Sequence, residues 1–430
     1  MYGPGYVNSW ILRGDAQGNE IWTLLESGGE NDATDYIEPT RDGGFITCGE
    51  TWNVLTWDGF VRKLNADGEQ LWARRIGDIN WDDVALCVRE LPDGSGFVAT
   101  GISGGHPFLW KLAPDGQTVW RRNYPYIPWE VPNFVEPAAN GDLIVAAAYP
   151  QQFFLARFSA SGQHLWHRTY QSGDSYSGEA SCVREAPDGS IYAAGTLYFF
   201  GTSFAWYVIK TDPQGNLIWE HIYDLPTTAS QEATELCLTP DGNLVVAGFA
   251  DPNYLLMKYD PDGNVLWQLE LPDGKAFSID QMRDGGYIFG GEYTTNGGGD
   301  SEAFHLIKTE PEVLIELQPW NPQLPASGGW LSYGAQVSNI LVNPTPLDAW
   351  LVLTNPDGQR FRLNSFPVTL QPGATFSRPR INVWIPPNAP NGTWTLEAHL
   401  GVAPPIPPPG GQHATRNMGL GSFAFTKSSE

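Results

Sequence analysis

Acidic side chains gather just before or at the start of a series of short apolar runs. They are Asp32 and Asp35, Asp82 and Asp83, Glu130, Glu179, and Glu232 with Glu235, with Asp280 displaced from the series. Oxygen-rich clusters of this kind are what a hard cation takes as ligands. If the runs surround a common axis, Asp32, Asp35, Asp82, Asp83, Glu130, Glu179 and Glu232 form a candidate carboxylate ring for Ca2+. Without such a ring, no metal or other cofactor is expected. The competing reading is that each carboxylate accepts backbone amides in its own crossing loop. The turns Asp260-Pro-Asp-Gly-Asn264 and Asp212-Pro-Gln-Gly-Asn216 resemble calcium loops only superficially. They lack the length and the distant bidentate Glu of such loops and read as turn formers.

Other chemistry is thinly represented. The seven histidines are scattered, and His164 and His167 lie three apart, which on a regular strand sends them to opposite faces. No nucleophile elbow, phosphate loop, HExxH or haem site appears. Cys48, Cys87, Cys182 and Cys237 form no CxxC pair, and three of them fall on one kind of strand in different repeats. That placement is too far apart for disulfides, so all four read as small buried apolar residues. Trp52, Trp57, Trp81 and Trp129 stand in variable loops, where an indole stacks on a sugar ring. A channel-mouth enzyme, quinone-dependent or glycan-active, is therefore the alternative to a chain without catalysis.

The elements that hold these residues repeat. A Gly-x-x-aliphatic-Trp phrase ends at Trp22, Trp72, Trp120, Trp166, Trp219 and Trp267, at intervals of 50, 48, 46, 53 and 48 residues. A basic residue stands nine positions before each one, at Arg13, Lys63, Lys111, Arg157, Lys210 and Lys258. Lys308 continues the basic series without a tryptophan. In the second unit, residues 84–89 and 97–101 read as strands around Pro92-Asp-Gly94, and residues 108–112 and 118–122 as strands around Asp115-Gly116. Asp-Gly between apolar alternations predicts tight hairpins with positive φ at both central positions. Two hairpins per unit make a four-stranded propeller blade, with the indole on the outermost strand covering the next blade. The basic positions suit ion pairs or hydrogen bonds between blades.

Lys63-Leu-Asn-Ala-Asp-Gly-Glu-Gln-Leu-Trp72 and Lys258-Tyr-Asp-Pro-Asp-Gly-Asn-Val-Leu-Trp267 resemble the repeats of bacterial secreted β-propellers. More distantly they are similar to the tryptophan-docking repeats of quinoprotein-like propellers. The resemblance spans about residues 6–310 and implies an all-β, six-bladed β-propeller. It also implies adhesion, scaffolding or, in the quinoproteins, catalysis as roles. Six first hairpins and six tryptophan strands face seven basic strands, so Phe304-His-Leu-Ile-Lys308 is one strand over. It leads into the next domain, begins a seventh blade, pairs locally, or pairs with another molecule through Phe304, Leu306 and Lys308.

The repeat stops after Pro311, dividing the chain into a propeller at 1–311 and a second domain at 312–430. Seven short alternating strands in that second domain predict a β-sandwich. Leu370-Gln-Pro-Gly373 and Ala389-Pro-Asn-Gly392 resemble turns of the Ig-like modules at the C-termini of secreted bacterial proteins. The segment 403–411 reads as a stiff proline-rich hairpin connection.

A formal net charge of -24 opposes binding to nucleic acid or an anionic membrane face, and no apolar run is long enough to span a bilayer. The partners expected are proteins or further copies of the chain, with glycan as the other class. The first residues carry no export leader, and a mature extracellular or bacterial cell-surface protein is expected. The expected task is structural or adhesive: a surface filament subunit, an adhesin or an envelope scaffold.

Overall fold

The computed structural model of the chain describes residues 9–428 apart from 16–17, 26–31, 54, 78–79, 127–130, 150–151, 174, 200–202, 224–229, 241, 283–284, 295–301, 310–312, 340–344, 371–374 and 403–415. Among the described residues every regular element is a strand. No helix is long and apolar enough to cross a membrane.

The strands follow the repeat. A hairpin of β1 (Trp10–Gly14) and β2 (Glu20–Leu25) comes first. Three antiparallel four-stranded sheets follow, each in consecutive order. The first holds β3 (Asp32–Pro39), β4 (Phe45–Asn53), β5 (Thr56–Leu64) and β6 (Gln70–Ile76). The second holds β7 (Val84–Glu90), β8 (Phe97–Ser103), β9 (His106–Leu112) and β10 (Thr118–Asn123). The third holds β11 (Val131–Pro137), β12 (Leu143–Tyr149), β13 (Gln152–Phe158) and β14 (His164–Tyr170). A fourth antiparallel sheet holds β15 (Ser175–Glu185), β16 (Ile191–Phe199), β17 (Ser203–Thr211) and β18 (Leu217–Tyr223). A fifth holds β19 (Gln231–Leu238), β20 (Leu244–Ala250), β21 (Asn253–Tyr259) and β22 (Val265–Leu271). A three-stranded sheet of β23 (Gly274–Gln281), β24 (Tyr287–Thr294) and β25 (Glu302–Lys308) closes the series.

The remaining strands form two sheets around one core. β26 (Val313–Pro319), β28 (Gly329–Asn339) and β31 (Thr375–Ile385) make the smaller sheet. β27 (Gln323–Leu324), β29 (Thr345–Thr354), β30 (Arg360–Leu370), β32 (Gly392–Val402) and β33 (Arg416–Lys427) make the larger. Leu331, Tyr333 and Ile385 of the first meet Leu353, Trp394, Leu396 and Phe425 of the second, which makes this a sandwich. The proline-rich segment lies outside the described residues, as does the junction at 310–312 where the domain boundary was expected. By compactness the chain forms one unit of Met1–Leu236, Gly248–Leu255 and Leu271–Lys275. The other unit is Cys237–Ala247, Leu256–Glu270 and Ala276–Glu430.

Within the first unit, successive sheets pack face to face. β7 lies against β3, β4 and β5, β11 against β7 and β8, and β15 against β12 and β13. Middle strands are consequently buried on both faces: Val98, Ala99, Phe108 and Leu109 are all inaccessible. That burial explains runs such as Phe97-Val-Ala-Thr and Phe108-Leu-Trp, which do not alternate. All four cysteines are buried thiols outside any disulfide.

A bulge recurs on β2, β6, β10, β14 and β18. Trp22, Trp72, Trp120, Trp166 and Trp219 pair with Arg13, Lys63, Lys111, Arg157 and Lys210, but the register slips just before each tryptophan. The skipped residues are Ile21, Leu71, Val119, Leu165 and Ile218, and all five are exposed. Four of these indoles, Trp22, Trp72, Trp120 and Trp166, lie against the turn glycine of the next sheet, as expected from the sequence. Trp72 Nε1 donates to Pro114 O at 3.0 Å and Trp22 Nε1 to Ala66 O at 2.9 Å.

The hairpin turns differ from expectation. Gly43, Gly68 and Gly116 have φ near +80°, but among the described residues Asp273 is the one non-glycine with positive φ. These are type I turns closed by a left-handed glycine, not turns with two positive positions. In Asn65-Ala-Asp-Gly68 the Asn65 side chain accepts the Asp67 and Glu69 amides at 2.9 Å. Asp212 and Asp260 do the same in the two superficially calcium-like turns, which leaves their oxygens engaged locally.

Candidate functional site

First strands of successive sheets carry an alternating charge ladder. Glu38 on β3, Arg89 on β7, Glu136 on β11 and Arg184 on β15 each stand two residues before the residue that opens the first hairpin turn (Thr40, Leu91, Ala138 and Ala186). Arg89 meets Glu38 through Nε and Glu136 through a terminal nitrogen, the latter at 2.9 Å. Arg184 reaches Glu136 at 4.0 Å and Glu235 on β19 at 2.8 Å. Both guanidinium groups lie against the Phe134 ring, at 5.4 Å and 4.3 Å from its centroid, and Tyr36 meets the same ring edge-on at 5.6 Å. Burial alone would weaken the two arginine charges. The surrounding acidic groups more than reverse it, so both pKa values rise.

The ladder is largely buried and incompletely bonded. Glu38 Oε2, Arg89 Nε, one Arg89 terminal nitrogen and Glu136 Oε2 are buried without an aligned hydrogen bond among the described residues. Attraction there is coulombic. Cys87 and Cys182 sit in the same layer, and burial pushes both thiols up, Cys182 to about 11. Neither is a nucleophile at neutral pH.

The expected carboxylates do not occupy one kind of position. Asp35 is the extra residue of a bulge between Thr34 and Tyr36, while Asp32 opens β3. Asp82 and Asp83 precede β7: Asp82 accepts the Trp57 amide at 3.0 Å and Asp83 the Gly104 amide at 2.9 Å. Those two contacts match the loop-tethering reading. Glu179 and Glu232 lie on first strands, their backbone carbonyls against Gly195 and Gly248, and Tyr198 donates to Glu179 at 2.9 Å. Glu130 lies outside the described residues. Among the described residues no group of three or more His, Cys, Asp or Glu side chains is placed to hold a metal ion.

Two smaller carboxylate groups remain. Burial and then the charge of Glu50 raise the Asp35 pKa to about 7, while burial and Asp82 raise Glu50. Asp35 keeps an exposed surface despite its crowded surroundings, so solvent screens part of that effect. Burial and then Glu179 raise Glu232, with Lys275 opposing. A carboxyl protonated in the folded chain and ionised in the unfolded one makes stability fall as pH rises between the two pKa values. For Asp35 that window runs from about 4 to about 7. Asp35→Asn is expected to flatten the loss of melting temperature across that window, as thermal scans at pH 4, 5.5, 7 and 8 would show.

The loop tryptophans are partly assembled beside Asp82. Trp52 and Trp57 pair across β4 and β5 with their rings edge-to-face at 5.5 Å, and Trp81 is exposed beside Gly105. Trp129 lies outside the described residues.

The basic strand positions bond both within their own sheet and to the next, where Arg13 donates to Ala66 O. Lys63 bonds Asp42 of its own first turn at 2.9 Å, and Arg157 bonds Asp142 likewise at 2.9 Å. Arg157 also reaches Glu185 of the next sheet at 3.2 Å, which is the contact between sheets that was expected. Sequence reasoning missed the ladder, although Glu38-Pro39, Arg89-Glu90, Glu136-Pro137 and Arg184-Glu185 recur just ahead of matched turns.

No family model matches the chain, and no curated protein matches it. Among solved structures, the CARDB domain of a Pyrococcus furiosus protein, crystallised in complex with di-metal ions, is similar over 27% of this chain and 93% of its own. The identity is 14% and the TM-score 0.20, a likeness that carries no argument about this chain.

Proposed function

We propose that the chain is an exported, non-catalytic interaction protein that associates with further copies of itself, as a filament subunit or adhesin at a bacterial surface. Its repeat is read as a six-bladed β-propeller, seven if β25 begins another blade, and its sandwich as an Ig-like module. Sheets that dock tryptophan onto glycine turn and share a charge ladder support the propeller reading. High acidity supports an exposed setting.

One observation carries the self-association. Every other basic strand has a tryptophan strand beside it, whereas β25, which ends at Lys308, has only β24 as neighbour among the described strands. Phe304 and Leu306 are 63% and 54% exposed on one face of it. A strand at the end of its described sheet with exposed apolar side chains is a template for another chain. Light scattering across rising concentration is expected to show growth of assemblies. Phe304→Lys with Leu306→Lys is expected to hold the protein monomeric, since edge lysines block pairing. Wild-type protein that stays monomeric at high concentration sinks the reading.

A second reading rests on Asp35, Glu50 and Asp82 beside the Trp52–Trp57 pair. Carboxylates next to indoles suit saccharide recognition or glycan cleavage. Glycan-array binding that disappears in Trp57→Ala would favour it.

A further inference from the structure

On a regular strand His164 and His167 would point apart, yet His167 Nδ1 stands 3.2 Å from His164 Nε2. The bulge is the cause. Arg157 pairs with Trp166 and Phe158 with His164, so Leu165 is the skipped residue and the side-chain alternation slips by one. The same bulge that turns Trp166 onto the next sheet thus brings the two imidazoles to one face of β14.

Both rings are held from below and open above. His167 stacks on Phe154 at 5.6 Å and 21°, and His164 meets Phe158 edge-on at 5.6 Å. Both histidines remain exposed. A metal about 2.0–2.1 Å from each nitrogen, with the nitrogens 3.2 Å apart, would see them at about 100–106°. That angle lies between square and tetrahedral coordination.

We propose that His164 Nε2 and His167 Nδ1 form a two-imidazole site for a borderline divalent transition metal, taking Cu2+ more tightly than Zn2+, with water completing the shell. In the metal-free pair one ring donates its N–H to the other. On binding, that proton exchanges through water to the donor ring's other nitrogen, leaving both facing lone pairs for the metal.

Calorimetric titration of the full chain with CuCl2, together with electron paramagnetic resonance of the bound ion, tests this. One saturable site with two imidazole nitrogens is expected. His164→Gln and His167→Gln are each expected to weaken it by at least about tenfold. The double variant should lose the two-nitrogen signature while its melting temperature without metal stays unchanged, because both rings are exposed. Cu2+ binding in the double variant equal to wild type, or no saturable site in wild type, overturns the proposal.

Discussion

Gly116→Ala is expected to destabilise the chain by about 3–5 kcal/mol, whereas Gly43→Ala, at the same kind of turn, should cost about 1–2 kcal/mol. Both glycines sit in the left-handed region, at φ +79° and +82°, so both substitutions carry the backbone penalty of an L side chain. The difference lies in what the new methyl meets. At Gly43 nothing stands within 4 Å, but at Gly116 the Trp72 indole is 2.7 Å away. The ring must retreat, and with it the Nε1 bond to Pro114 O and the tilted contact with Phe97 at 5.8 Å. Overpacking of this kind adds about 1–3 kcal/mol, and the displaced hydrogen bond about 1 more. A double-mutant cycle isolates the contact. In a Trp72→Ala background, Gly116→Ala should cost no more than Gly43→Ala does in the parent. Urea unfolding monitored by tryptophan fluorescence gives all four values, and equal costs for the two glycines in the parent would refute the docking account.

That docking was the most legible feature of the sequence because indole and glycine serve one contact from both sides. Gly68, Gly162 and Gly215 likewise leave less than 3 Å between an added methyl and Trp22, Trp120 and Trp166. A contact made the same way in four successive repeats writes its period into the chain. Bulges write much less. Nothing in Gly162-Gln-His-Leu-Trp166 marks Leu165 as the residue that drops out of register, so a period of two misplaced His167. The same limit hid the position of Asp35, which a bulge in β3 separates from its neighbours' alternation. Turn type was misjudged for a related reason: Asp-Gly is compatible with two hairpin geometries, and the flanking register chooses between them. The charge ladder was overlooked because Glu and Arg alternate from sheet to sheet. A repeat search for one residue type per position sees no repeat there.

The ladder's energetic role can be separated from its mere presence. Glu136 lies between two guanidinium groups, 2.9 Å from Arg89 and 4.0 Å from Arg184. Glu136→Gln keeps the shape and removes the charge, leaving two like charges facing one another in a largely buried layer. Loss of one partner from a buried pair costs about 3–5 kcal/mol, and that is the expected loss here. Arginine cannot escape by deprotonating, as a lysine would. Because the pairing lacks aligned hydrogen bonds at Glu38 Oε2 and Glu136 Oε2, its favourable part is charge attraction offset by desolvation. Replacing Arg89, Glu136 and Arg184 together by Met, Leu and Met is therefore expected to restore stability to within about 1–2 kcal/mol of wild type. Recovery in the triple variant would mean that the ladder selects which sheets face each other rather than supplying net stability. If the triple variant is as unstable as Glu136→Gln, or Glu136→Gln is harmless, that assignment fails.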